Sequence, residues 1–304
     1  MNTLAEKSNL ANVLNMSGVL LTNESMASHT SWRTGGTADR YYIPGGVADL
    51  SDFVRSLDSD EEIHWLGLGS NLLVRDGGIR GTVIAMTGVL DELEKHENGI
   101  RVGAGVTCAK AARFAAASGF TGAEFLAGIP GTMGGALAMN SGAFGGETWQ
   151  VVHCVETMDR QGVVHEKNRD EFKVDYRYVN LPGGEWFIAA ELHLQAGAEE
   201  KSRSNIRELL GKRNDSQPTG VYSCGSVFRN PQGDYAGRII ESCGLKGFSI
   251  GGATVSEKHA NFIINTGSAT STDIEKLIEH VRQVVLEKNG VVLEPEVRII
   301  GEQV

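Results

Sequence analysis

The chain's densest run of glycine is Gly128-Ile-Pro-Gly-Thr-Met-Gly-Gly-Ala-Leu-Ala-Met-Asn140, continued by Ser141-Gly-Ala-Phe-Gly-Gly146. Glycine costs about 1 kcal/mol against alanine in a helix, so this composition argues against a stable helix, and its regularity argues against disorder. Pro130 fixes φ while Gly131, Gly134 and Gly135 permit close approach, which predicts a rigid loop wrapped around a large ligand. A second glycine segment, Gly67-Leu-Gly-Ser-Asn-Leu-Leu-Val74, follows the strand-like Ile63 to Leu66. Its Ser70 hydroxyl, Asn71 amide and backbone N–H groups suit a diphosphate without a metal, although a plain tight turn accounts for the segment equally well. Two such loops, with Gly103-Ala-Gly105 between them, imply a ligand long enough to touch both, and a dinucleotide cofactor fits. Neither loop is G-x-G-x-x-G opening a helix or G-x-x-x-x-G-K-[ST], so a Rossmann or P-loop assignment lacks its residues.

Composition narrows the partners. A chain of 304 residues with 41% apolar content buries a full core and exceeds the usual size of one domain. Lys plus Arg number 28 against 38 Asp plus Glu, and the formal charge of −10 excludes a general nucleic-acid binder, which needs a positive field. No run approaches the roughly 18 apolar residues of a membrane span, and the first residues lack a basic cap on an apolar segment. A cytoplasmic protein is expected. Cys108, Cys154, Cys224 and Cys243 lie far apart with no metal-ligand spacing, so free thiols and no metal are expected. Nothing in the pattern argues for assembly, which leaves a monomer.

Runs rich in β-branched and aromatic residues predict strands at Ile63 to Leu68, Thr82 to Met86, Ile100 to Val102, Val151 to Met158, Trp186 to Leu194, Asn261 to Asn265 and Val291 to Ile300. Helices are predicted over Cys108 to Ser118, ending at Gly119, over Ser204 to Arg213, and over Thr272 to Lys288 with Gly290 beyond. The polar Asn214-Asp215-Ser216-Gln217-Pro218 reads as a linker at a domain boundary.

Two further segments carry chemistry. In Ser223-Cys-Gly-Ser-Val-Phe-Arg-Asn-Pro231, Ser226 qualifies as a general acid only beside a strongly basic carbanion or enolate; otherwise it is a turn serine. The alternating Leu293-Glu-Pro-Glu-Val-Arg-Ile-Ile-Gly301 predicts a strand with Glu294, Glu296 and Arg298 on one face, by itself a solvated edge.

Together these motifs resemble one family. S-W-R-T-G-G at Ser31, G-L-G-S-N-L-L-V at Gly67, G-I-P-G-T-M-G-G-A-L-A-M-N at Gly128, D-Y-R-Y at Asp175, C-G-S-V-F-R-N-P at Cys224, K-H-A-N at Lys258 and L-E-P-E-V-R at Leu293 occur in the order of the UDP-N-acetylenolpyruvoylglucosamine reductase (MurB) family. The short connection from Arg177 to Trp186 resembles its type II branch; Val179-Asn180 depart from the serine many members carry there. The resemblance implies an α+β fold: an FAD-binding domain of the vanillyl-alcohol-oxidase (PCMH) type plus a C-terminal α+β substrate-binding domain. On this basis residues 1–22 are an N-terminal extension, 23–203 the FAD domain with subdomains of about 23–88 and 89–203, and 204–304 the substrate domain.

The resemblance further implies non-covalent FAD, NADPH as co-substrate, and reduction of UDP-N-acetylglucosamine enolpyruvate to UDP-N-acetylmuramate in peptidoglycan precursor synthesis. It assigns catalysis to Arg177, Ser226 and Glu296. Cofactor contacts fall to Arg33, Thr34, Gly35, Gly67, Gly69, Ser70, Asn71, Leu72 and Gly105, and then to Gly128, Ile129, Pro130, Gly131, Gly134, Gly135, Asn140, Gly142 and Ala143. Substrate contacts fall to Lys258, Asn261 and Arg298. The rivals are a nucleotide-sugar binder that has lost chemistry, against which the retained Arg177, Ser226 and Glu296 argue, and an FAD oxidase of the same fold.

Overall fold

Val152–Asp159 and Glu185–His193 are rich in β-branched, aromatic and small apolar side chains, and they bury residues on both faces: Val152, Val155, Phe187, Ala190 and Leu192 in one cluster, Met158 and Ile188 in another. They pair antiparallel at the centre of a five-stranded sheet, whose order is Val164–Asn168, Val152–Asp159, Glu185–His193, Gly99–Gly103, Leu93–His96. The structure, a computed structural model, describes residues 17–304; most of the expected N-terminal extension, residues 1–16, lies outside the described residues.

Six α-helices are described: α1 (Val47–Ser56), α2 (Cys108–Ala117), α3 (Met133–Met139), α4 (Glu199–Ser216), α5 (Ala236–Ser242) and α6 (Ser271–Asn289). The chain forms two compact units. Of the described residues, the first comprises 17–22, 40–67 and 81–212; the second comprises 23–39, 68–80 and 213–304. In the first unit α2 and α3 cover the five-stranded sheet, burying Ala111, Ala112, Ala115, Met133 and Leu137 with Ile100, Val102, Trp149 and Leu192. In the second, α5 and α6 bury Ile239, Ile240, Ile274, Leu277 and Val281 with Ala253, Val255 and Ile263 of a three-stranded antiparallel sheet. There Leu72–Val74 pairs in parallel with Arg298–Ile300.

Three sequence expectations change. Met133–Met139 of the glycine-rich stretch is a helix, not a loop: Met133, Ala136 and Leu137 are buried, and Asn140 closes it in the left-handed conformation at φ 44°. Burial of one apolar stripe offsets the helix-weakening Gly134 and Gly135. Asn214 to Ser216 is no linker, since α4 runs on through Ser216. The strand expected from Val291 is confined to Arg298–Ile300. Residues before it are extended but pair with a single segment, Arg229 N–H donating to the Glu294 carbonyl at 2.9 Å and Glu296 N–H to that of Val227 at 2.7 Å.

The start of α6 is doubly capped. Thr270 and Asp273 form a reciprocal capping box, and Asp76 accepts from the N–H groups of Ser271 (3.0 Å) and Thr272 (2.9 Å) and from the Thr272 hydroxyl (2.6 Å). Burial alone would raise the Asp76 carboxyl, but these hydrogen bonds outweigh it and hold it below its ordinary value. A depressed folded-state value means that the stabilisation is complete above the unfolded value of about 4 and is lost as pH falls through the folded one. We therefore expect Asp76→Ala to lower unfolding free energy by about 1 kcal/mol at pH 7, discounted for solvent screening. Urea melts should show the gap from native closing toward pH 3; a gap independent of pH would refute the charge-based cap.

Candidate active site

In the first unit the glycine-rich stretch is fastened to the sheet by main-chain bonds. Met133 N–H donates to Val106 O at 2.8 Å, Gly134 N–H to Ala104 O at 2.9 Å, and Cys108 N–H to Gly131 O at 2.9 Å. Several glycines are required by these contacts themselves. A Cβ on Gly67 would lie 2.4 Å from Thr132 Oγ1, one on Gly128 2.3 Å from the Phe144 ring, and one on Gly105 2.0 Å from Met86 O. Gly135 differs, being exposed with only Thr132 Oγ1, at 3.8 Å, near such a Cβ. Thus the loop is rigid because it packs on its own protein, and at Gly135 it leaves open space beside the backbone.

Asn140 ties this stretch to the Arg177 hairpin. Its side chain, 1% exposed, donates to Glu147 Oε2 (2.9 Å) and to the Asp175 carbonyl (3.2 Å) and accepts from Trp149 N–H (3.1 Å). The amide expected to contact cofactor is therefore spent inside the protein. Val174–Asp175 pairs with Tyr178–Val179, and Arg177 sits at the tip of this turn with φ 54°, its guanidinium over the Tyr176 ring and donating to Asn140 O at 3.5 Å.

In the second unit Ser226, half-buried, follows Gly225 at φ 72° and precedes the buried Val227 and Phe228. Val227 N–H donates to Asn261 O at 2.9 Å; its carbonyl accepts from Glu296 N–H. Asn71 Nδ2 donates to Glu296 O at 3.0 Å, and Asn71 O accepts from Arg298 N–H at 3.0 Å. Asn71, Val227, Asn261 and Glu296 thus belong to one hydrogen-bonded frame, with Ser226 adjoining Val227. Cys224 stands against Gly69 O and Leu72 O at 3.5 and 3.4 Å, and burial pushes its thiol up to about 12, so it remains protonated at neutral pH.

The other expected residues divide clearly. Thr34 is buried, with its carbonyl taking the Thr30 hydroxyl at 3.0 Å, and Arg33, at φ 57°, turns onto Ser28 O at 2.8 Å. Gly35 is held beside Val74, and a Cβ on Gly69 would collide with His29 O at 2.1 Å. Lys258 Nζ donates to Asn214 O, and Arg298 is exposed. Asn261 is 3% exposed and both ends of its amide go to Phe228, as donor to O (2.8 Å) and acceptor from N–H (2.9 Å), so its side chain is turned into the protein. Sequence reasoning passed over Trp32, which is fully buried and whose Nε1 donates to Ile263 O at 2.8 Å. Its place inside S-W-R-T-G-G was the only signal.

Residues 38–168 match the FAD binding domain family, and residues 217–300 match the UDP-N-acetylenolpyruvoylglucosamine reductase C-terminal domain. A UDP-N-acetylenolpyruvoylglucosamine reductase of Alkalilimnicola ehrlichii is 56% identical over 279 residues, 92% of this chain and 94% of that one. This chain belongs to the UDP-N-acetylenolpyruvoylglucosamine reductase family. The reductase of Legionella pneumophila strain Corby is 54% identical over 96% of both chains. The crystal structure of the family's Thermus caldophilus member superposes with a TM-score of 0.79 at 31% identity, covering 93% of this chain and 99% of that one. The fold is accordingly the expected α+β one with an FAD-binding domain.

The residues present fit the cofactor of that family. Residues 128–146 contain no Asp or Glu and offer main-chain N–H groups and hydroxyls beside the opening at Gly135, and residues 67–74, likewise without an acidic side chain, offer donors of the same kind; each set suits a diphosphate. Among the described residues no group of three or more His, Cys, Asp or Glu can hold a metal ion.

Because the buried Asn140 amide makes three hydrogen bonds at once, Asn140→Ala should lower unfolding free energy by about 2–4 kcal/mol, measured by chemical denaturation. At Arg177 the sign reverses: glycine removes a left-handed penalty of about 1–2 kcal/mol, so Arg177→Gly should unfold at the native temperature or above it. A melting point several degrees lower would show that the arginine stabilises the hairpin.

Proposed function

We propose that this chain is an FAD-dependent oxidoreductase that reduces UDP-N-acetylglucosamine enolpyruvate to UDP-N-acetylmuramate at the expense of NADPH. The observation that carries the proposal is the frame of the second unit, in which the Ser226 segment and the Glu296 segment are hydrogen-bonded to each other, and the Glu296 segment to Asn71. Family membership supplies the reaction, and that frame supplies a proton donor and an acid in fixed register.

Residues 67–72 and the stretch from Gly128 to Ala143 would hold FAD non-covalently, and the cofactor, reduced by NADPH, would supply the hydride that C3 of the enolpyruvyl ether receives. The C2=C3 π bond then breaks and its electrons move toward C2 and the carboxylate. Arg177 binds that carboxylate and stabilises the charge it gathers, and Glu296 completes the same task as an acid. Ser226 gives its hydroxyl proton to C2, forming the second new C–H bond, and water reprotonates the serine. A neutral hydroxyl suits this step, because only a strongly basic enolate carbon can draw its proton. Lys258 and Arg298 contact the nucleotide sugar. No described helix is long and apolar enough to cross a membrane, and the proposal puts the chain in the cytoplasm as a monomer that serves peptidoglycan synthesis and needs no nucleic-acid partner.

Anaerobic stopped-flow absorbance tests this directly. NADPH should bleach the flavin of the native protein and of Ser226→Ala alike, and the enolpyruvyl sugar should restore the native colour rapidly. The variant should be restored about 10²- to 10⁴-fold more slowly. A native protein without flavin, or one reoxidised by oxygen but not by the sugar, would overturn the reductase assignment.

A further inference from the structure

We propose that Asn261 is a positioning residue for Ser226, acting through the main chain of the two residues that follow the serine and not through the sugar; this rests on the reductase assignment above. Directly before Ser226, Gly225 has φ 72° and a Cβ there would meet nothing within 4 Å, so the glycine itself restrains little. Behind it the buried Cys224 is anchored against Gly69 O and Leu72 O. The serine's place is set most directly from the side that follows it, where the buried Val227 adjoins it.

On that side Asn261 supplies three hydrogen bonds: its carbonyl takes Val227 N–H at 2.9 Å, its Oδ1 takes Phe228 N–H at 2.9 Å, and its Nδ2 donates to Phe228 O at 2.8 Å. A side-chain amide bonded to both main-chain groups of one residue imitates a strand partner and fixes that residue's register. The opposite edge is held by Glu296 N–H on Val227 O at 2.7 Å. Asn261 and the Glu296 segment thus grip Val227 between them, one residue beyond the proton donor. Asn261 is itself oriented, since its N–H donates to His259 Nδ1 at 3.2 Å, and burial lowers the His259 value so that the ring stays a neutral acceptor at pH 7.

Truncation removes two of the three bonds and leaves the main-chain one. Val227 and Phe228, 1% and 2% exposed, keep their apolar anchorage in the core of the second unit, so the fold survives while the register of Ser226 loosens. A donor displaced by about 1 Å costs on the order of 10²-fold in rate.

The test uses the flavin-loaded full chain with Asn261→Ala and the near-isosteric Asn261→Asp, which keeps the acceptor for Phe228 N–H and loses the donor. Expected are bleaching by NADPH at the native rate, reoxidation by the enolpyruvyl sugar slowed about 10- to 100-fold with little change in KM, and a larger solvent deuterium isotope effect on that step. Asn261→Asp should lie between native and Asn261→Ala. Product formed by a misplaced donor should also contain some of the opposite configuration at C2. A raised KM with unchanged reoxidation rate would instead make Asn261 a substrate contact and overturn the proposal. A lower melting temperature with native reoxidation rate and isotope effect would overturn it in favour of a purely structural role. If the native protein itself is not reoxidised by the sugar, the reductase assignment fails first and this inference falls with it.

Discussion

A fully buried tryptophan holds the second unit together. Trp32 donates from Nε1 to Ile263 O, and its own carbonyl accepts from Asn265 Nδ2 at 2.7 Å, so one strand grips the residue at both ends. The two partners are 231 and 233 residues away in sequence, and closing so long a loop costs about 5 kcal/mol of chain entropy, a figure that grows only logarithmically with length. Deleting a core tryptophan costs about 3–5 kcal/mol, so this one side chain offsets most of that closure. The parallel pairing of Leu72–Val74 with Arg298–Ile300 adds a second tie of the same kind. Every proposed catalytic feature of this unit, from Ser70 to Ser226 and Glu296, is built on the elements so joined.

Left-handed backbone marks where stability is given up. Among the described residues five that are not glycine adopt it: Asn23, Arg33, Asn140, Phe144 and Arg177. Asparagine tolerates the conformation, whereas arginine and phenylalanine lose roughly 1–2 kcal/mol each. Arg33 and Arg177 lie in the motifs that carry the family resemblance, and Phe144 packs its ring over Gly128. A chain under selection for stability alone would place glycine at such turns. That side chains persist there means that what they present outweighs the strain, and for Arg177 the charge presented is the one the proposed mechanism uses.

Much of this architecture was legible in the sequence where periodicity was strong. The stripe from Ile274 to Val285 gave α6, the alanine run gave α2, and the β-branched and aromatic runs around Val155 and Ile188 gave the central strands. The short elements were not legible. Helix α3 carries two glycines in seven residues and exists because its buried face docks on the sheet, a tertiary effect no local propensity reports. The C-terminal strand was overextended because alternation continues through Leu293 and Val297, whose side chains are buried although their backbone pairs with a single segment. At the site, residue type was readable and the use of its atoms was not. Nothing in K-H-A-N tells that the Asn261 amide is consumed by Phe228, or in A-L-A-M-N that Asn140 serves Glu147, Asp175 and Trp149.

That distinction bears on how an acidic chain admits anionic ligands. Net charge of −10 repels a dinucleotide and a nucleotide sugar at long range, yet a Debye length of about 8 Å confines that repulsion to nearby charges. The segments argued to hold the diphosphate contain none of the chain's 38 acidic residues. With the amides of Asn140 and Asn261 already bonded inside the protein, their remaining donors are neutral N–H and hydroxyl groups, which bind phosphate oxygens without a fixed charge whose desolvation must be offset. In the proposed mechanism positive charge is reserved for the carboxylate end of the reaction, where Arg177 is carried on a hairpin with its guanidinium over the Tyr176 ring and donating to the Asn140 carbonyl. Charge of that kind contributes most to the transition state when it meets negative charge that develops during the step, and least when it is spread along a ligand that is already anionic.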